Sequence, residues 1–408
     1  MKARPMRSTE GVVCRECGGL NQPDSRFCWF CGAKLPRYRR GPDGRPTVGL
    51  MVVQSLKWLS IAVVVLAVAG GFYYAVDRFV LPAFRDDPTP TVTVVTQTTS
   101  TSRSTTTTTT PRTNRVVAGG ADRYATAIAI SRLGFPGGAP ALVLVAGDDY
   151  AEAISVTPLA VAWGGPVLLL PPEGIRDDLG TEIERLDPAQ IFLVGVSRPN
   201  SVTTQLRDIL DEPTVTRLDG DDPFKTAALV ATEVKAKLET VSKVVIAPSD
   251  SFVEAIVVAP LAAANGWPIL LASQNGDLPA ATADAIEDLG ATSALVVGTD
   301  VELTLSDVEK LVGADGFETA ALIVQYAETQ GMSFAHTAIV TGDAFPDGLV
   351  AGSYLALDKG ILLLANDGRL PSVILSLFTD NLKAIRMLDF IALPDLVKDL
   401  ANPSTGTT

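Results

Sequence analysis

The chain has 408 residues, with 33 Lys and Arg against 46 Asp and Glu, one histidine and a net charge of −13. This is the length of about two to four domains. With 47% hydrophobic and 19% charged residues, most of it must fold around apolar cores. The charge is unevenly placed: residues 1–114 carry +8 and residues 115–408 carry −21. The acidic part repels phosphate backbones, which excludes nucleic acid as its main partner. All four cysteines lie within residues 14–31, which excludes a disulfide-stapled scaffold for the remainder.

The first predicted element is a metal module. Cys14-Arg-Glu-Cys17 and Cys28-Trp-Phe-Cys31 are two C-x-x-C pairs, able to give four thiolates to one tetrahedral Zn²⁺. So short a segment buries no stable core, and the metal would supply the folding free energy, roughly 10–16 kcal/mol. Four sulfurs leave no open position, so the ion is structural. Two surface disulfides are the alternative, disfavoured in a reducing compartment. Residues 12–36 resemble the bacterial zinc-ribbon family, with C-x-x-C-G in front and Phe27-Cys28-Trp-Phe-Cys31-Gly32-Ala-Lys-Leu35 behind. The resemblance implies metal binding; docking of a cytoplasmic protein is a role such a module could serve.

A membrane span over residues 52–77 follows, centred on the uncharged run Trp58–Val76. At 1.5 Å per residue this run reaches about 28 Å, close to the ~30 Å thickness of the hydrocarbon layer of a bilayer. Trp58 and the Phe72-Tyr73-Tyr74 cluster sit at its two ends, where interfacial aromatics belong. A cleaved signal peptide or a buried core helix is the competing reading, but 57 residues precede the run. Arg37, Arg39, Arg40, Arg45 and Lys57 stand before it and only Arg78 and Arg85 after it. The N-terminus is therefore expected in the cytoplasm and the acidic part outside. Residues 86–114, with six consecutive threonines at 105–110 and Pro88, Pro90 and Pro111, read as a disordered stalk, bare or O-glycosylated.

The acidic body repeats itself in fixed order. One block is Asp122-Arg123-Tyr124-Ala-Thr126-Ala127, returning as Asp222-Pro-Phe224-Lys-Thr226-Ala227 and Asp315-Gly-Phe317-Glu-Thr319-Ala320. A second is Ala146-Gly-Asp148-Asp149-Tyr150-Ala-Glu152, returning as Ser249-Asp250-Ser-Phe252-Val-Glu254 and Thr341-Gly-Asp343-Ala-Phe345-Pro-Asp347. Short apolar runs without alternation, Ala141–Ala146, Val167–Leu170, Ile191–Val194, Val244–Ala247, Ile269–Leu271, Leu295–Val297, Ala338–Val340 and Ile361–Leu364, suit parallel strands buried on both faces. Helical patterns at 150–162, 252–264 and 345–357 alternate with them. The expected fold is α/β: three tandem flavodoxin-like or Rossmann-like parallel-sheet repeats at 115–213, 214–311 and, degenerate, 312–400.

These blocks resemble the cell-wall-binding repeat type 2 family of Gram-positive bacteria, which usually has three tandem copies. Copy one keeps Gly119, Asp122, Arg123, Tyr124, Thr126 and Ala127; copy two has Pro223-Phe224 instead of the Arg-Tyr pair. The resemblance implies a pseudo-threefold arrangement, non-covalent binding of an anionic cell-wall polymer or glycan, and no catalysis by the repeats.

Asp148, Asp149, Asp250 and Asp343 fall at predicted strand ends, the edge where open α/β sheets hold ligands. Capping of the following helix is the competing role. Arg123, between Asp122 and Tyr124, is the cation suited to grip phosphate or carboxylate, or else to pair with Asp122 or Asp149. The lone His336 reads as structural, and no Cys nucleophile, G-x-S-x-G elbow or Walker loop serves the body. The expected protein is thus a non-enzymatic single-pass membrane protein, bound to the envelope outside and presenting a zinc ribbon inside. An extracytoplasmic wall enzyme is the first alternative, and a docking ribbon with a passive ectodomain the second.

Overall fold

The computed structural model describes residues 122–393 except 149, 197, 274–275 and 343–344, and four strands before them, at 12–13, 20–21, 92–95 and 113–117. The chain divides into two compact units, Met1–Asp87 and Pro88–Thr408. In the first, β1 (Val12–Val13) pairs antiparallel with β2 (Leu20–Asn21), Val12 opposite Asn21. The four cysteines and the 52–77 span lie outside the described residues. No helix among the described residues is long and apolar enough to cross a membrane.

The second unit holds three sheets, one per repeat, as the recurring blocks require. The first sheet is ordered β6-β5-β7-β8, from β5 (Ala141–Ala146), β6 (Val167–Leu170), β7 (Gln190–Val194) and β8 (Thr214–Leu218), all parallel. The second repeats that order as β10-β9-β11-β12, from β9 (Lys243–Pro248), β10 (Ile269–Ala272), β11 (Ser293–Val297) and β12 (Asp307–Leu311). The third runs β14-β13-β15-β4-β3, from β3 (Val92–Val95), β4 (Thr113–Val117), β13 (Ser333–Thr341), β14 (Gly360–Ala365) and β15 (Met387–Ile391). Strands β5, β7, β9 and β11 are almost wholly buried, which is why they read as apolar runs.

In the first and third sheets the fourth strand lies outside the repeat expected from the motifs. Residues 214–218, placed at the head of repeat two by the motif boundary, complete the first sheet. Residues 113–117 complete the third, where Arg115 stands in register with Asp389. The stalk boundary at 86–114 is corrected likewise, since Val92–Val95 pairs antiparallel with β4 at the sheet's edge. The chain crosses from sheet to sheet just before each Thr-Ala helix: α1 (Arg123–Gly134), α6 (Pro223–Leu238) and α9 (Gly316–Thr329). Glycine is needed there. A Cβ on Gly220 or Gly313 would lie 2.6 Å from the side chain and the backbone nitrogen of the first helical turn.

The remaining helices are α2 (Tyr150–Ala153), α3 (Thr157–Trp163), α4 (Asp177–Leu186), α5 (Pro199–Ile209), α7 (Val253–Ala264), α8 (Ala280–Leu289), α10 (Phe345–Ala356) and α11 (Ser372–Asp380). The single helix expected over 150–162 is broken in two, with Pro158 in the first turn of α3, where its missing N–H costs nothing. The corresponding Pro260 is carried inside the continuous α7. Helices α3, α7 and α10 pack against one another and join the three lobes. Their crossing is made of small residues: a Cβ on Gly352 would meet Thr157 Cγ2 at 2.9 Å and Ala259 Cβ at 3.4 Å. These three residues occupy the same place in their repeats, seven after Tyr150, Phe252 and Phe345.

Candidate functional site

Each opening helix begins on an aspartate. Asp122 accepts from the backbone N–H groups of Tyr124 and Ala125, Asp222 from Lys225 and Asp315 from Glu318, satisfying donors the helix leaves open. The repeated threonines also serve the backbone, Thr226 and Thr319 accepting from Gly220 N and Gly313 N at 3.0 and 2.9 Å. Asp122 is further held by Arg176, Nη1 to Oδ2 at 2.6 Å, and Arg176 pairs with Asp178 at 2.7 Å while lying over the Tyr124 ring at 4.9 Å. Burial pushes the Asp122 carboxyl up, but the Arg176 hydrogen bond and the backbone donors outweigh it and hold it below the usual range. Asp122 thus spends its acceptors on the protein itself. Tyr124 lays its ring on Gly147, where a Cβ would come within 2.5 Å of Cε1. Phe317 stands against Gly342 in the same manner.

Arg123 is exposed. Its Nη1 donates to Gly147 O at 2.7 Å and its guanidinium lies 5.9 Å from the Phe345 ring. It also faces Asp347, which accepts from Thr126. Arg123 and Thr126 open the first lobe and Asp347 belongs to the third, so this cluster is where the ring of lobes closes. Burial pushes the Asp347 carboxyl up to about 6, against the opposing pull of Arg123 and Thr126.

Of the strand-end acids, Asp148 and Asp250 are exposed, while Asp149 and Asp343 lie outside the described residues. Asp148 lines a cleft at the carboxyl edge of the first sheet with Glu173, Arg198 and Ser201, over a floor of Ala146, Leu170 and Val196. Its cavity of about 40 Å³ has room for a few waters, and not for a sugar ring. The crevice between β5 and β7, where strand order reverses, is occupied by the chain itself. Glu152 rests on Gly195, whose Cβ would fall 2.5 Å from that of the acid, and Glu254 rests on Gly298 in the second sheet. Both glycines have positive φ, 62° and 66°. The recurrent acid and the recurrent strand-end glycine are therefore one packing unit.

Sequence reasoning missed three residues here. Arg176 and Arg198 sit in connections without a recurring motif. Arg198 makes no ion pair among the described residues and stands at the start of α5, which has no side-chain cap. Glu182, fully buried on α4, accepts from Ser131 at 2.6 Å and pairs with Arg132 and Arg185 at 3.0 and 2.7 Å. Among the described residues, no group of three or more His, Cys, Asp or Glu side chains is arranged to hold a metal ion.

A ring of α/β lobes, the first two with strand-edge crevices filled by their own acids and all with opening motifs committed to capping or lobe junctions, defines a repeat scaffold. A family model described as "Cell wall binding domain 2 (CWB2)" matches residues 118–202, 217–303 and 310–387, and the chain belongs to that family. Among curated proteins it is 28% identical over 262 residues to N-acetylmuramoyl-L-alanine amidase LytC of Bacillus subtilis, covering 62% of this chain and 51% of the amidase. It is 24% identical over 228 residues to the Amidase enhancer of the same organism, covering 54% of this chain and 30% of that protein. The chain thus spans about half the length of the first relative and less than a third of the second. Among solved structures, Cwp6 from Clostridium difficile superposes with a TM-score of 0.63 at 23% identity over 74% of this chain and 49% of its own. Cwp8 from the same organism gives 0.61 at 20% identity over 72% and 52%. These two share the fold.

Proposed function

We propose that the chain is a membrane-anchored, non-catalytic tether: its lobes hold an anionic wall polymer outside the cell, and a zinc ribbon occupies the cytoplasmic end. The observation that carries the binding reading is the family match to all three repeats. An acidic body cannot attract a polyanion by net charge. The polymer must therefore meet local cations such as Arg123 and Arg198, sugar hydrogen bonds, or bridging divalent ions. The small cleft beside Asp148 suits a single projecting group rather than a whole residue of the polymer.

For the ribbon, Cys14 and Cys17 fall in the connection between β1 and β2. A strand pair joined by C-x-x-C fits a shared metal. Zinc bound by Cys14, Cys17, Cys28 and Cys31 would supply folding energy there. The Trp58–Val76 run and the arginines before it support the anchor and its orientation.

Binding is preferred to hydrolysis. The part shared with the amidase lies mostly in the binding domain, and His336 is buried with Asp389 and Tyr354, where a wall polymer has no access to it. The test is co-sedimentation of residues 88–408 with Gram-positive cell walls, before and after the anionic polymers are stripped, with and without Ca²⁺ or Mg²⁺. Retention that vanishes on stripped walls is expected; equal retention on both, or none on either, overturns the polymer assignment. Release of soluble fragments from the walls would favour the enzyme.

A further inference from the structure

The third lobe differs from the other two at three related places. Where lobes one and two have Ala141 and Lys243, it has His336; where they bury Leu159 and Leu261, it has Tyr354; where they bury Phe192 and Leu295, it has Asp389. The three come together. His336 Nε2 lies 2.9 Å from Asp389 Oδ2, Nδ1 lies 2.8 Å from Asp358 Oδ2, and the Tyr354 hydroxyl donates to Asp389 at 3.0 Å. His336 and Asp389 are 4% and 0% exposed. A neutral imidazole has one N–H and could satisfy only one carboxylate; two carboxylates at these distances call for imidazolium. Apolar residues would fill the same space without the desolvation of two charges.

We propose that His336 is a proton-operated latch of the third lobe: protonated, it ties β13, β15 and the turn after α10 together; deprotonated, it releases β15 and with it the ring-closing strand β4. The path is short, because β15 is hydrogen-bonded to β13 on one side and to β4 on the other.

Burial alone would lower the pKa of His336, but its hydrogen bonds to the accepting carboxylates of Asp358 and Asp389 outweigh this and raise it above the ordinary value. The latch is therefore complete below the unfolded value, about 6.5, and is lost as pH rises through the folded one. Other polar and charged groups also face this cluster. Tyr354 on α10 already donates to Asp389, Arg386 turns its guanidinium to the carbonyls of Lys383 and Ile385, and β4 places Arg115 in register with Asp389. The latch does not depend on the polymer reading.

The chain has one histidine, so the untagged, histidine-labelled full chain gives a single imidazole titration by NMR. A midpoint above about 6.5 is expected, and one at or below it overturns the proposal. Amide exchange, corrected for its intrinsic pH dependence, supplies the second readout. Protection of Met387–Ile391 and Thr113–Val117 should fall by up to about tenfold per pH unit past the midpoint, while Gln190–Val194 stays constant. Flat protection at Met387–Ile391 overturns the latch. So does a pH dependence that survives in the combined His336→Ala, Tyr354→Leu, Asp389→Leu variant, which restores residues found in the sister lobes.

Discussion

At the scale of single residues, the repeated polar positions turn out to serve the backbone and the junctions between lobes. Asp347 shows the electrostatic side of this. Its carboxyl titrates near 6 because burial disfavours the charged form. A raised folded pKa means the stability it confers is complete below its unfolded value and lost as pH rises through about 6. Asp347→Asn should then raise stability at neutral pH by about 1–3 kcal/mol and flatten the pH dependence between the two values, measured by chemical denaturation at several pH values. Glu182 is the opposite case: a buried carboxylate fully matched by Ser131, Arg132 and Arg185. Glu182→Gln should cost about 1–3 kcal/mol, since a neutral amide cannot accept from two guanidinium groups. Neither residue's role was legible beforehand. Glu182 sits in an ordinary charged helix sequence, and two of its three partners, Ser131 and Arg132, are some 50 residues away; Asp347 reads as a first-turn acid until the neighbouring lobe is in place.

At the scale of elements, all eight apolar runs became strands, because burial on both faces leaves a signal that does not depend on neighbours. In the body, the strands that escaped notice are edge or near-edge ones, together with Met387–Ile391, a middle strand whose apolar run Asp389 interrupts. Thr214–Leu218 and Asp307–Leu311 alternate weakly and are half exposed. Val92–Val95 and Thr113–Val117 flank a run of threonines that reads as disordered. Their allegiance was the harder matter still: nothing local in Thr113–Val117 says that its neighbour is Met387–Ile391. A fragment beginning at 118 lacks both β3 and β4 and leaves β15 as an open edge. It should unfold at a lower denaturant concentration than one beginning at 88 and should self-associate, as bare strand edges do; paired denaturation and light-scattering measurements check this.

At the scale of the whole molecule, the three lobes hold together at the crossing of α3, α7 and α10. There Thr157, Ala259 and Gly352 stand at equivalent places yet differ in size. The smallest meets the other two, so the centre is filled asymmetrically and tightly. Gly352→Val should cost about 1–3 kcal/mol by overpacking, with the loss read as a lowered melting temperature. The recurring blocks made the number of lobes legible and the family resemblance implied their ring, whereas this contact required the lobes to be brought together. The wall-binding residues are the least legible part, since the recurrent acids and glycines that looked like a ligand edge are largely occupied in holding the scaffold.

The pairing of β4 with β15 also bears on how the body is made. These partners are some 270 residues apart in the chain, and a contact so distant in sequence forms slowly. A nascent polypeptide would expose its earliest body strand long before the mate exists. The first two lobes can mature in turn, while the opening strand waits for the last one to arrive, making completion of the ring the closing act of biogenesis.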